Sequence, residues 1–107
     1  MMRVQPARWP NRLLLAALTL AWSPAFGADA ENGGVLANRW CASCHIVASD
    51  QRQSPSEAPP FREIAKKPGF DVAKLAFFLL NPHPVMPNMG LSRNEAADLA
   101  AYIAALK

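Results

Sequence analysis

The stretch "RWCASCHIV", residues 39–47, holds both cysteines of the chain and one of its two histidines. Three chemistries suit such a cluster: a redox disulfide, part of a zinc site, and covalent attachment of haem. Zinc normally takes four ligands, or three and a water. Only Cys41, Cys44, His45 and His83 are on offer, and adjacent Cys44 and His45 fit poorly on one tetrahedral ion. A thioredoxin-like motif belongs to a βαβ unit, and no segment here alternates as a strand does. A plain disulfide leaves His45 unexplained. The haem reading uses all three residues. The two thiols add to the two vinyl groups of haem as thioethers. Two intervening residues match the vinyl separation when the segment turns helically. The next residue, His45, then lies beneath the iron as its proximal ligand. Cys-x-x-Cys-His is a specific pattern for this attachment.

The compartment is read from the N-terminus. "MMRVQPARWPNR" carries Arg3, Arg8 and Arg12 and no acid. The apolar run Leu13 to Trp22 follows, and then the small residues of "SPAFGADA". A basic start, an apolar run and a small-x-small site describe a secretory signal peptide. The run is about half of the roughly 20 residues that span a bilayer, so the expectation is cleavage rather than anchoring. Residues 1–27 are read as the signal, cut after Gly27 with Ala30 as second choice, and residues 28–107 as one domain. Loss of three arginines takes the eleven basic residues to eight, against eight acids. The mature chain is thus near neutral. Nucleic acid needs a basic patch, so it is not an expected partner, and neither is stable membrane insertion after cleavage. Export implies an oxidising compartment, here the periplasm, where haem attachment of this kind occurs.

The mature chain reads as helices joined by proline-containing loops, an all-α domain. Residues 31–41 form an amphipathic stretch through Val35, Leu36, Arg39 and Trp40. Gly33 and Gly34 weaken it, so a start at Gly33 or later is expected. Residues 46–60 are polar and proline-containing, a surface loop. "FREIAKK" adds a short turn that Pro68-Gly69 stops. "DVAKLAFFLLN" forms a helix capped by Asp71. Val72, Leu75, Ala76 and Leu79 recur at helical spacing, and Phe78 widens the apolar face. Asn81-Pro82 ends it. Pro82, Pro84 and Pro87 then hold "PHPVMPNMG" extended. In the last helix Ser92 and Glu95 make a capping box, and Leu99, Tyr102, Ile103 and Leu106 share one face.

In that order the pieces resemble a small class I c-type cytochrome over nearly all of residues 31–107. "GGVLANRWCASCH" resembles the N-terminal helix running into the haem site, and "APPF" the proximal proline segment. "HPVMPNMGLS" resembles the methionine loop and "EAADLAAYIAAL" the C-terminal helix. The resemblance implies a cytochrome c-like fold of three to four helices wrapped around one covalent haem c. It carries the axial methionine onto Met86, so that His45 and Met86 bind the iron. Met89 is read as packing, and His83 as exposed rather than a ligand. Pro59, with Pro60 as rival, matches the proline whose carbonyl accepts from the proximal imidazole. The terminal helices of the family cross through a glycine, an aromatic and an aliphatic, here Gly33, Tyr102 and Leu99. One departure is Ala37, where the family often has an aromatic; Trp40 is expected to supply that bulk.

With both axial positions filled, iron passes electrons one at a time. The implied role is a periplasmic electron carrier rather than an enzyme. It would run between a dehydrogenase or quinol-oxidising complex and a terminal oxidase or reductase. Two alternatives stand beside it. A labile methionine would give a haem enzyme or gas-binding protein. The short chain also suits an electron-accepting subunit of a larger oxidoreductase complex.

Overall fold

The computed structural model describes residues 2–6, 27–51, 53, 56–82 and 84–107. Most of the expected signal peptide and His83 lie outside the described residues. Within them are four helices: α1 (Ala30–Trp40), α2 (Phe61–Lys66), α3 (Val72–Leu80) and α4 (Arg93–Ala104). No strand and no helix long and apolar enough to cross a membrane occurs among the described residues.

Local chemistry accounts for most helix boundaries. Asp71 accepts from the Lys74 N–H at 3.0 Å and starts α3. Asn81 ends that helix ahead of Pro82. At α4 the Ser92 hydroxyl accepts from the Glu95 N–H at 3.1 Å, and the Glu95 carboxylate accepts from the Ser92 N–H at 3.0 Å. Gly90, with φ of +65°, makes the turn into this helix that other residues rarely adopt. The start of α1 differs from the sequence expectation. Asp29 caps it through the Asn32 N–H at 3.1 Å, so the helix begins at Ala30, ahead of both glycines.

Tertiary packing explains those glycines. A Cβ on Gly33 would lie 2.0 Å from the Asp98 carbonyl oxygen and 2.7 Å from the Tyr102 Cβ of α4. On Gly34 it would lie 3.0 Å from the Tyr102 ring. The two helices therefore approach to backbone contact at Gly33, which outweighs the roughly 1 kcal/mol that glycine costs inside a helix. Asp98 ties the same junction: its carboxylate accepts from the Asp29 N–H at 2.7 Å and the Asn32 side-chain amide at 2.9 Å.

Helix α4 packs on α1, α3 and α2. Its Ala96, Leu99, Ala100 and Ile103 are all buried, the i, i+3, i+4, i+7 stripe of a core-facing helix. Tyr102 and Leu106, expected on that face, are half-buried at its margins. Leu36 and Ala37 from α1, Phe61 and Ala65 from α2 and Leu79 from α3 complete the core. Two expectations are corrected. Trp40 is 45% exposed and does not fill the space beside Ala37, which is itself fully buried. Val72 is exposed at the start of α3, because that helix turns Leu75 and Leu79 inward instead.

The crossing yields a stability prediction. Gly33→Ala should lower the unfolding free energy of the haem-loaded protein by about 1–3 kcal/mol, the usual cost of overpacking, and its denaturant midpoint with it. Gly34→Ala should change it far less, since only an aromatic ring must yield. Equal midpoints for the two variants, followed by far-ultraviolet circular dichroism, would contradict the backbone contact.

Candidate haem site

Helix α1 delivers the cysteines. Beyond Trp40 the chain keeps turning: the Cys41 N–H donates to the Ala37 carbonyl at 2.9 Å. The N–H groups of Cys44 and His45 both donate to the Cys41 carbonyl, at 3.1 and 2.9 Å. This helical turn sets Cys41 into the core, 4% exposed, and leaves Cys44 exposed. Burial pushes the Cys41 thiol up to about 11.

His45 is half-buried and held from both sides. Its Nδ1 lies 2.7 Å from the Pro59 carbonyl oxygen, and the Phe61 ring sits 5.2 Å away, centroid to centroid. A carbonyl only accepts, so Nδ1 carries a proton, and in the neutral ring Nε2 is then the nitrogen with the lone pair. That is the tautomer a metal-binding imidazole needs. The Pro60 carbonyl is otherwise engaged, accepting from the Ile64 N–H at 3.1 Å in the first turn of α2. The Phe61 N–H donates in turn to the Ile46 carbonyl at 3.0 Å, which fastens the start of α2 beside the histidine.

His45 and Met86 line one cavity of about 670 Å³. Its walls are apolar: Phe61 and Ile64 from α2, Leu75 and Leu79 from α3, and Ile103 from α4. The volume lies in the range of roughly 300–1,000 Å³ of cofactor sites. The donor set also fits haem: two thiols and an imidazole on one turn, a thioether from a loop, and hydrocarbon between. Met89 does not line this cavity. It borders a smaller cleft of about 40 Å³ with Trp40, Cys41 and Cys44, a cleft that His45 and Met86 also line.

Some contacts were beyond sequence reasoning. The Ser56 hydroxyl donates to the Cys44 carbonyl at 2.6 Å and accepts from the Ala58 N–H at 3.1 Å. The Tyr102 hydroxyl donates to the Val47 carbonyl at 2.5 Å, pinning the chain just past His45 to α4. Burial, and then the Asp50 carboxylate, raise the Tyr102 pKa and keep this donor protonated. Helical spacing and the family resemblance mark Tyr102 in the sequence, but not this hydrogen bond, whose partner lies 55 residues away.

The family model described as cytochrome C oxidase, cbb3-type, subunit III matches residues 28–103. The chain is also 51% identical over 94 residues to cytochrome c-552 of Bradyrhizobium diazoefficiens, covering 88% of this chain and 90% of that protein. The chain belongs to the c-type cytochromes. No solved structure matches it. A c-type cytochrome carries covalently attached haem c, and the Cys41–His45 motif is the attachment pattern. As a cytochrome of this family the chain is an electron carrier.

The two methionines are separable by substitution. Met86→Leu should abolish the near-infrared sulfur-to-iron band, lower the reduction potential and let carbon monoxide bind the ferrous protein. Met89→Leu should keep the band. The reverse pattern would move the ligand to Met89, and an unchanged band in both would place the sulfur outside this loop.

Proposed function

We propose that this cytochrome works in the periplasm, with Cys41 and Cys44 as thioether tethers and His45 and Met86 as the axial ligands. The observation that carries this reading is that His45 and Met86 line the same apolar cavity. Haem bound there supplies a one-electron ferric/ferrous couple. His45, its Nδ1–H held by the Pro59 carbonyl, presents Nε2 as a neutral ligand in a fixed orientation. Met86 supplies a thioether, which raises the potential relative to a second nitrogen ligand. Two protein ligands leave no coordination position for substrate, which favours electron carriage over catalysis. Leu75, Leu79 and Ile103 exclude water, and low polarity further disfavours the more positive ferric form.

The partners proposed are a dehydrogenase or quinol-oxidising complex on the donor side and a terminal oxidase or reductase on the acceptor side. The matching family model is named for an oxidase subunit, which supports the oxidase. Export rests on the N-terminal segment. Cleavage after Gly27 suits the fold better than cleavage after Ala30. The first keeps Asp29, which caps α1 and whose N–H reaches Asp98; the second removes both contacts.

Two outcomes are expected of the purified wild-type product. Its N-terminus should be Ala28 and it should be recovered from the periplasm. Its ferrous form should refuse carbon monoxide at neutral pH. Rapid carbon monoxide binding would favour a gas-binding or catalytic role, and an N-terminus that retains Arg3 would contradict export with cleavage.

A further inference from the structure

Polar groups are sparse along the large cavity: beside the haem-binding turn they are Ser56, Glu57 and Lys67. Ser56 is tied to the Cys44 carbonyl, which holds it and neighbouring Glu57 on the tether side. Lys67 stands elsewhere. Phe61 and Ile64 of α2, and Lys67 at its C-cap, stand three residues apart and all line the cavity. Phe61 opens the row beside His45. Lys67 closes it about 9 Å further on, at 1.5 Å of rise per residue. Among the described residues Lys67 is the one cation on this lining, and no carboxylate forms an ion pair with it.

Lys67 is exposed at the margin of the cavity, where it is part of the lining that an anion seated in the cavity would meet. Haem c has one edge taken by the cysteine tethers and carries its two carboxylates on the opposite edge. We propose that Lys67 is a positioning residue for the haem, its ammonium pairing with a haem carboxylate at the cavity edge away from Cys41 and Cys44. This inference rests on the cavity being the haem pocket. The pairing offsets a negative charge that would otherwise stabilise ferric iron, so it holds the reduction potential up. It also fixes the haem edge that the thioethers leave untethered. Glu57, the acid on the same lining, follows the Ser56 that is tied to the Cys44 carbonyl and forms no ion pair with Lys67.

Lys66 provides the control, because it is the neighbouring residue, is exposed as Lys67 is, carries the same charge and does not line the cavity. Midpoint potentials would be measured on holoprotein at low ionic strength for wild type, Lys67→Gln, Lys67→Arg and Lys66→Gln. Lys67→Gln should shift the ferric-to-ferrous ratio at fixed potential by about threefold or more towards ferric, tenfold being 59 mV for one electron. Lys67→Arg should restore most of the wild-type value, and Lys66→Gln should shift it much less. Equal shifts for Lys67→Gln and Lys66→Gln, with covalent haem and the sulfur band intact, would overturn the pairing and leave the haem site standing. An arginine variant behaving like glutamine would do the same. Wild-type product without covalent haem would overturn both.

Discussion

The backbone contact of α1 with α4 at Gly33 is the constraint on which the rest of the molecule depends. It brings the start of α1 against Asp98 and sends its other end, carrying Cys41, across the core. From that fixed end the chain turns once more and presents His45. The same α4 backs the cavity through Ile103 and holds the segment after His45 through Tyr102. A larger residue at Gly33 would push the cysteine turn away from the helix that lines the far wall. A domain of this size has a thin core. Among the described residues its largest fully buried side chains are Leu99, Ile103 and Val47, all members of one core cluster.

Around that junction the chain uses backbone groups to set side-chain chemistry. One carbonyl, Pro59, decides which imidazole nitrogen of His45 carries the proton. Another, Cys44, is held by Ser56, which steadies the turn that carries Cys41, Cys44 and His45. Proline suits position 59 because it fixes its own φ while keeping its acceptor. The next proline already serves as the entry to α2. One residue thus orients the histidine and the following one begins the wall of the cavity.

What the sequence made legible was what local chemistry determines. The caps at Asp71 and Ser92, the Cys-x-x-Cys-His turn and the proline stops act within a few residues, and each has its partner nearby in the chain. Longer-range features were harder to read. Gly33 and Gly34 argue against a helix on propensity, yet the crossing demands them, and the Asp29 cap lies two residues ahead of the amphipathic stretch that starts at Glu31. Trp40 looked like core because it is large and apolar, but its position on α1 faces the methionine-loop cleft. Asp98 reads as an ordinary surface acid until α1 arrives beside it. Met86 and Pro59 were reached through family resemblance, since neither a loop methionine nor a proline declares its role by spacing. Lys67 needed the three-residue row along α2 and the cavity it borders.

The central claim is that one covalent haem sits between His45 and Met86. The most direct test is the visible and near-infrared spectrum of the ferric wild-type protein, taken with a check of whether haem stays on the chain after acid–organic extraction. This account predicts one haem that resists extraction and a near-infrared band from sulfur on iron. Haem that extracts freely would contradict the cysteine tethers, and a ferric spectrum without the sulfur band would contradict the axial pair.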